Sequence, residues 1–446
     1  MLVSTERLAR HVATSRFDAL PRPVVDEAVR SLVNWAGCAL GGARHESVDI
    51  VLASLGPFAG APQATLIGRT ERSDCLLAAL ANGIASHVLD FDDTHPDTLV
   101  HPSGPVAAAL LALAEWRAVS GAELLNAFVA GVEVECRVAR AVLPAHYEVG
   151  WHITGTAGVI GAAAACARLL ALDDRRTAWA LGIAATQAAG LREMFGSMCK
   201  SFHAGRAAQN GLAAALLAER GFTSAPAALE GARGFVQVLS STPHPEALVA
   251  DLGTRYELLL NTYKPFACGL VIHPSLDGCL RLREAHALRA GAIEQVELVV
   301  HPLTLELTGK PSPRTGLEAK FSVYHAAAVA LIDGAGGEAQ FSDARVNAAD
   351  VTALRAKVRV QSDASLRKEE ARVRVTLAGG ARHAVHVADC VGSPQRPLSD
   401  AALDAKFLDL ARPVLGARSE TALAALRAIV QARDAAALVR DNLGAH

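Results

Sequence analysis

Apolar residues recur at every third or fourth position over most of residues 5–260, and this period predicts a succession of helices. Glycine, proline, aspartate and serine separate the segments. Several segments, such as GVIGAAAACARLL, carry small residues on more than one face, which is typical of interior helices that approach each other closely. The clearest predicted helices of this part are 24–40, 74–89, 106–119, 122–142, 157–172 and 206–220.

The pattern changes after Lys264. Alternating or β-branched runs predict strands, and a Gly-Gly turn joins the last two into a hairpin. The predicted strands are 295–301, 357–361, 371–377 and 384–388. Helical periodicity is present between them at 318–332 and returns at 401–411 and 420–433.

These patterns predict a mainly α fold of two domains. We expect a large all-helical domain from residues 1–264 and 396–446, and a smaller α+β domain from residues 265–395. The length of 446 residues favours two domains, and an aromatic content of only 4% with abundant alanine favours helices over a β-sandwich.

Charge and targeting signals narrow the function class. A formal net charge of −2 argues against a nucleic-acid partner. The polar N-terminus lacks the apolar core of a signal peptide, and the apolar run 159–167 is too short to cross a membrane. None of the eight cysteines forms a CxxC pair, which is typical of a reduced protein, so we expect a cytoplasmic location without membrane attachment.

The densest polar segment is HVLDFDDTHPDTLVHPS, residues 87–103. His87, Asp90 and Thr94 would share one helix face if the helix continued that far. His101 precedes a new helix, where the helix dipole favours a neutral imidazole and free N–H groups favour an anion. A solvated turn and a metal cluster remain alternatives for the aspartates, and a structural role is favoured for His95.

Two further segments carry candidate chemistry. His152 in GWHITGT precedes the small-residue helix and repeats the placement of His101; the glycines that follow lack the GxGxxG spacing and favour close helix packing. In KSFHAGRAAQNG, helical spacing places Lys200, His203 and Arg206 on one side, where two cations and an imidazole suit a carboxylate cradle. An exposed basic edge is the alternative for Arg206.

The last candidates lie near the predicted domain junction, a favoured place for an active-site cleft. Lys264 and His273 occur in KPFACGLVIHPSLD, and Tyr324 and His325 follow Lys320 at the start of a predicted helix. The chain has no GxSxG, Walker or HExxH motif, so nucleophilic serine hydrolysis and phosphoryl transfer have no support.

Taken together and in order, these segments resemble the MmgE/PrpD family. The resemblance rests on LDFDD…HPS, GWHxTGT, KxxHxGxAAxNG, KPF…H, AKFS…ALIDG and the late GSPQRPLSDAALDAKF, and it covers nearly the whole chain. It implies a helical domain, a smaller α+β lid domain, an active site between them and a homodimer, with no metal and no organic cofactor.

The resemblance also implies site residues. The pocket residues of the decarboxylase branch fall on Asp90, Thr94, His101, His152, Lys200 and Lys264. A pocket tyrosine of that branch aligns with His325, and Tyr324 lies one residue earlier. This departure argues against the decarboxylase and methylcitrate dehydratase branches and slightly favours the iminodisuccinate epimerase branch.

We therefore predict an acid–base enzyme that acts on a small di- or tricarboxylic acid. In this hypothesis Lys200 and Lys264, with Arg206, bind carboxylates, while His101 and His152 move protons and Asp90 orients a histidine. His203, Thr94, Tyr324 and His325 complete the predicted binding site. The leading expectation is a hydro-lyase of the 2-methylcitrate dehydratase type. The alternatives are an epimerase or isomerase of an iminodisuccinate-like acid, a non-catalytic carboxylate-binding relative, and a helical protein-interaction module.

Overall fold

The computed structural model describes residues 3–445. The first part of the chain is an assembly of helices with one short two-stranded sheet, β1 (Ala64–Thr65) and β2 (Arg72–Ser73). Its helices are α1 (Ser4–Thr14), α2 (Arg22–Gly42), α3 (Glu46–Leu55), α4 (Cys75–Val88), α5 (Ser103–Trp116), α6 (Gly121–Val142), α7 (Ala145–Glu148), α8 (Ile153–Leu169), α9 (Asp174–Ala185), α10 (Met198–Glu219) and α11 (Phe235–Leu239). All six helices predicted for this part are present with shifted ends.

Local sequence signals fix the starts of the helices near the site. The Asp74 carboxylate accepts hydrogen bonds from the backbone N–H groups of Leu76 and Leu77, each at 3.0 Å, and so caps α4. Ser120 and Glu123 form a reciprocal capping box at the start of α6. These caps satisfy backbone donors that would otherwise be unpaired at a buried helix end.

Small residues let the central helices α6, α8 and α10 pack closely, as predicted. A Cβ built at Gly161 of α8 would lie 2.6 Å from the Cβ of Glu135 on α6. A Cβ at Gly211 of α10 would lie 2.5 Å from the Cβ of Ala162 on α8. Gly155, Gly158 and Gly161 therefore serve close packing and not a nucleotide loop.

The second part of the chain is an α+β unit, which we call the lid. Its elements are α12 (His273–His286), β3 (Ile293–Val300), α13 (Pro302–Thr308), α14 (Gly316–Ala319), α15 (Val323–Asp333), α16 (Asp343–Val346), α17 (Ala349–Arg355), β4 (Val358–Ser362), β5 (Ala371–Leu377) and β6 (Arg382–Val387). The strand order is β4-β3-β5-β6, with β3 parallel to β4 and the other neighbours antiparallel. Helices α12 and α15 pack on the sheet. The predicted hairpin is confirmed, with Gly380 at φ +83° in its turn.

One lid prediction was wrong, because the helix expected at 318–332 is broken into α14 and α15. The backbone N–H of Gly269 donates to the Lys320 carbonyl at 2.9 Å, which takes this residue out of the helix. Ser322 then caps α15 by accepting a hydrogen bond from the His325 N–H at 3.1 Å. Tertiary contact and a new N-cap therefore interrupt a continuous helical pattern.

After the lid the chain returns to the helical part as α18 (Asp400–Leu415), α19 (Ser419–Arg427) and α20 (Ala435–Leu443). Helix α18 packs on α2, and α20 packs on α5. Leu403 and Phe407 of α18 are buried in the same apolar cluster as the central helices. Among residues 3–445, no helix is both long and apolar enough to cross a lipid bilayer.

Candidate active site

The loop from α4 to α5 carries most of the polar cluster. Helix α4 ends at Val88, and Asp90 adopts a left-handed φ of +49°. His87, Asp90 and Thr94 therefore do not share a helix face, and that expectation was wrong. The chain leaves the helix because its polar groups find partners elsewhere: Lys264 Nζ donates to the Asp90 carbonyl at 2.9 Å.

Asp92 is fully buried and lies between two histidines. Its Oδ2 is 2.6 Å from His87 Nδ1, and its Oδ1 is 3.5 Å from His101 Nδ1. Burial opposes ionisation of this carboxyl, but His87 and His101 lower the pKa of Asp92 below its ordinary value, so the carboxylate is charged at neutral pH. Asp92 thus orients His87 through a hydrogen bond and places a negative charge beside His101, whereas the sequence assigned the orienting role to Asp90.

The contacts of His101 fix its tautomer. Its Nδ1 is 2.8 Å from the carbonyl oxygen of Asp93, and a carbonyl only accepts, so Nδ1 carries the proton. Nε2 is then the unprotonated nitrogen and is available to the cavity. Burial lowers the pKa of His101 well below its ordinary value, which keeps the ring neutral. His101 is therefore built as a base.

His152 occupies the N-cap position of α8, but its side chain makes no capping hydrogen bond and has a different kind of partner. Its Nδ1 lies 2.9 Å from Nδ1 of His203, which projects from α10. Burial, with the charges of His87 and Lys200, lowers the pKa of His152 well below its ordinary value. Because an imidazole nitrogen can donate or accept, this contact permits either tautomer of His152.

Two buried lysines converge on Asp90. Lys200 Nζ donates to Asp90 Oδ1, and Lys264 Nζ lies 3.3 Å from the same oxygen. Burial opposes ionisation of Asp90, but the two ammonium groups lower the pKa of Asp90 well below its ordinary value. Burial lowers the pKa of the Lys200 ammonium as well. Two fixed cations around one carboxylate make a site that can receive another carboxylate.

Asp93 faces away from this pair, towards the start of α5. Its Oδ2 accepts hydrogen bonds from Ser103 Oγ and from Asn261 Nδ2, each at 2.6 Å. Burial and the charge of Asp92 raise the pKa of Asp93 to about 7. The anion expected at this helix start is therefore an internal carboxyl.

A third lysine supports these loops from behind the cavity. Lys406 of α18 donates to Asn34 Oδ1 at 2.8 Å and to the carbonyls of Phe91 and Lys264 at 2.6 and 2.9 Å. Its Nζ also lies 3.9 Å from the centre of the Phe91 ring. Burial lowers the pKa of Lys406 to about 8.

The cavity lies between the helical part and the lid. The helical part contributes Tyr147 and Phe195 in addition to the polar groups, and the lid contributes residues such as Phe321, Thr308 and Ser393. Lys368, in the loop between β4 and β5, reaches across and donates to the Pro96 carbonyl at 3.1 Å. The site is thus closed by contacts between the two parts of the chain.

The structure brings together six of the predicted site residues. Those that line this one cavity are Asp90, Thr94, His101, His152, Lys200 and Lys264. Thr94 also pairs with Thr262 through two backbone hydrogen bonds of 2.9 Å, which fixes the loop against the segment that carries Lys264.

Four other predicted residues lie elsewhere. Arg206 is exposed on α10 and donates to Gln209, which matches the basic-edge alternative. His203 lies behind His152 and not among the cavity-lining residues. His325 is buried in the lid and bonded to the Gln340 carbonyl at 2.9 Å, and Tyr324 lies at the sheet. Neither His325 nor Tyr324 is among the residues that line the cavity.

Three residues that support the site were not identified from the sequence. Asp92 lies in the polar segment 87–103, but a solvated turn was an equally good explanation for it. No sequence pattern marks Asn261 or Lys406, because their hydrogen-bond partners are distant along the chain. His273, a weaker candidate, is buried and bonded to the Cys268 carbonyl at 3.2 Å. His95 contacts Thr98 and Glu257 and has the structural role expected of it.

Among the described residues, one group has the geometry of a possible metal site. Potential ligand atoms of His87, Asp92 and His101 lie within 4.8 Å of one another. The 2.6 Å contact of His87 with Asp92 is a hydrogen-bond distance, and two ligands of one ion would normally lie farther apart. These three side chains therefore fit a hydrogen-bonded group better than a metal centre.

Comparison with known proteins gives two family matches. The MmgE/PrpD N-terminal domain matches residues 6–248, and the MmgE/PrpD C-terminal domain matches residues 266–431. A cis-aconitate decarboxylase of Homo sapiens is 27% identical over 419 residues, covering 90% of this chain and 86% of the relative. That of Mus musculus is 28% identical with the same coverage, and that of Aspergillus terreus is 26% identical over 73% of this chain and 71% of the relative.

Proposed function

The chain belongs to the MmgE/PrpD family, and on that premise we propose that it is a lyase that removes carbon dioxide from a small unsaturated tricarboxylate of the cis-aconitate class. The similar proteins in human, mouse and Aspergillus are named cis-aconitate decarboxylases, which favours decarboxylation over the dehydration expected from the sequence. The observation that carries the proposal is the convergence of two buried lysines and two neutral imidazoles on one cavity.

Lys200 and Lys264 bind substrate carboxylates in this proposal. Before substrate arrives, Asp90 holds both ammonium groups in place, so little reorganisation is needed on binding. The same cations stabilise the negative charge that develops next to a carboxylate during the reaction. Phe195 and Phe321, whose ring centres lie 5.5 and 5.3 Å from Lys200 Nζ, shield this region from water.

Decarboxylation of such an acid requires one proton per turnover. The electron pair of the breaking C–C bond forms a new C=C bond, and the former π pair takes a proton at the far alkene carbon. His152 supplies this proton from Nε2 in the tautomer whose Nδ1 accepts from His203. Neutral His101 has no proton on Nε2 to give.

A specific observation supports dehydration as a second candidate. Asp90 Oδ2 is buried and has no hydrogen-bond partner within the described part of the chain, so it can accept a hydrogen bond from a substrate hydroxyl. A hydroxy acid would then lose its α-proton to His101 and its hydroxyl with a proton from His152. This hydro-lyase of the 2-methylcitrate dehydratase type uses the same residues with a different substrate.

The test is proton NMR in D₂O with cis-aconitate, citrate, 2-methylcitrate and iminodisuccinate. We expect cis-aconitate to yield a product with a terminal CH₂= group and one deuterium on the neighbouring methylene carbon. Vinylic signals from a hydroxy acid alone would favour the dehydratase, and deuterium exchange without a new product would favour an epimerase. No change with any of these acids would contradict the proposal.

Variants separate the two lyases. His152→Ala is expected to slow either reaction by about 10²–10⁴-fold, because both need its proton. His101→Ala removes the base that dehydration requires, whereas decarboxylation keeps its proton donor. Near-normal turnover by a folded His152→Ala protein would exclude both schemes. Activity that survives dialysis against EDTA is also expected, since the steps use only side chains of the chain.

We also propose that the chain acts as a homodimer, as the family resemblance implies. Light scattering should then give twice the chain mass of 46.4 kDa. A mass equal to one chain at micromolar concentration would refute the dimer without affecting the proposed reaction.

A further inference from the structure

The partner of His152 differs in kind from the partner of His101. The Nδ1 of His101 contacts a backbone carbonyl, which can only accept a hydrogen bond. The Nδ1 of His152 contacts the Nδ1 of His203 at 2.9 Å, and the ring centres lie 5.1 Å apart at 55°. The second contact must therefore contain one proton between two nitrogens, and either nitrogen can be the one that bears it.

The nitrogen that bears this proton decides whether His152 acts as an acid or as a base at the cavity. When His152 carries it on Nδ1, the Nε2 of neutral His152 is a base. When His203 carries it, the Nε2 of neutral His152 bears a hydrogen and is an acid. The histidine at the cavity and the histidine behind it thus change tautomer together.

The surrounding chain makes room for this pair. A Cβ built at Gly190 would lie 3.2 Å from His203 Cγ and 3.5 Å from His152 Cβ, and Gly190 has φ +131°. The Gly190 carbonyl also accepts a hydrogen bond from the His152 N–H at 3.0 Å. A Cβ at Gly155 would lie 3.2 Å from His203 Cβ. Glycines at both positions allow the two rings to meet edge to edge.

His203 connects this pair with the outside. It keeps 8% of its surface exposed, whereas His152 keeps 1%. Its neighbours on α10, Phe202 and Arg206, are exposed. Burial, with the charges of His87 and Lys200, lowers the pKa of His203 to about 4, so a proton that enters the pair at neutral pH passes through and does not remain.

We propose that His203 is a proton relay: it supplies a proton to Nδ1 of His152 while His152 gives its Nε2 hydrogen to the substrate, so that His152 stays neutral. A solvent proton binds His203 Nε2, the hydrogen on His203 Nδ1 moves to His152 Nδ1, and the hydrogen on His152 Nε2 moves to the substrate carbon. Three N–H or C–H bonds form, while one solvent O–H and two N–H bonds break. After product leaves, His203 Nε2 returns its proton to solvent, the hydrogen on His152 Nδ1 moves back to His203 Nδ1, and a water molecule in the open cavity protonates His152 Nε2, so each turnover takes up one solvent proton in total. This inference rests on the proposed decarboxylation, which consumes one proton per turnover.

The variant that tests the relay is His203→Asn. The asparagine amide lies where Nδ1 was and can still hydrogen-bond to His152, but it cannot pass a proton through the side chain. We expect kcat for cis-aconitate to fall by about 10²-fold with KM unchanged. We also expect the dependence of kcat on the deuterium fraction of the solvent to change from curved in wild type, where several protons move together, to linear.

The matched control is His146→Asn. His146 is also a buried histidine, and its Nδ1 donates to the Leu239 carbonyl at 2.8 Å, a contact that an asparagine amide can replace. No proton has to pass through it, so kcat per folded molecule and the curved isotope dependence should remain. If His203→Asn behaves like His146→Asn in both measurements, His203 only positions His152 and the relay is refuted.

The relay can also be judged if the proposed function fails. Should wild-type protein turn over no acid, the decarboxylase assignment falls by itself. Nitrogen-15 NMR of the histidine-labelled full chain then tests the shared proton directly, with signals assigned by the same two variants. A hydrogen on His203 Nδ1, alone or in exchange with His152 Nδ1, supports the relay. A hydrogen fixed on His152 Nδ1, which leaves Nε2 with none to give, overturns it.

Discussion

Lys406 offers a quantitative test of how the site is supported, through the substitution Lys406→Met. The variant leaves three buried acceptors without their donor: Asn34 Oδ1 and the carbonyls of Phe91 and Lys264. Each loss costs about 1–3 kcal/mol, or about 6 kcal/mol together. The variant also removes a buried charge, and this partly offsets the loss because burying the ammonium group costs free energy.

The pKa of Lys406 gives the free-energy cost of burying its charge. Burial lowers this pKa from 10.5 to about 8, which corresponds to about 3 kcal/mol at about 1.4 kcal/mol for each pH unit. The hydrogen bonds therefore outweigh the buried charge, and we expect the free energy of unfolding to fall by about 3 kcal/mol at pH 7.5. Urea titration followed by circular dichroism measures this change.

The pH dependence of the difference gives a second readout. Between about pH 8 and pH 10.5 the unfolded lysine keeps its proton and the folded one has lost it. Stability of the wild type therefore rises with pH relative to the variant, by about 2 kcal/mol between pH 8 and pH 9.5. The control is Lys357→Met, which removes one hydrogen bond from a lysine in an exposed position. Equal stability of the wild type and Lys406→Met, or a difference that does not grow with pH, would refute the reasoning.

Three further predictions concern binding, protonation and packing. Lys200→Met should raise KM for cis-aconitate by about 10–100-fold, because a charge-assisted hydrogen bond to the substrate is lost. Arg206→Met, on the exposed side of the same helix, should leave KM unchanged. Equal KM values for the two variants would contradict the carboxylate site. His203 stays neutral in the folded protein down to about pH 4, so the unfolded state takes up its proton first and stability is lost as pH falls below 6.5. His203→Asn should reduce this slope by about 1.4 kcal/mol per pH unit in urea titrations, and an unchanged slope would show that the histidine is not buried as described. Gly161→Ala should cost about 1–3 kcal/mol by overpacking against Glu135, and a neutral or stabilising effect in the same titration would mean that the helices can separate.

Local sequence signals predicted most of the secondary structure. The caps at Asp74 and Ser120, the small residues of α8 and the Gly-Gly hairpin all act over a few residues, so their effects follow from periodicity and turn chemistry. The predictions that were wrong involve competition with distant partners. Lys264 takes the Asp90 carbonyl at the end of α4, and Gly269 takes the Lys320 carbonyl between α14 and α15.

The sequence by itself determined the helical and α+β parts, the family, and the six polar residues that meet in the cavity. Only the tertiary structure decided which of them act on each other. It paired Asp92 with His87 and Asp90 with the lysines, placed His203 behind His152, and buried the His325 side chain inside the lid, away from the cavity. The physical reason is that helix and strand periods depend on neighbours two to four positions away, whereas the protonation state and orientation of a buried side chain depend on partners up to 372 residues away along the chain.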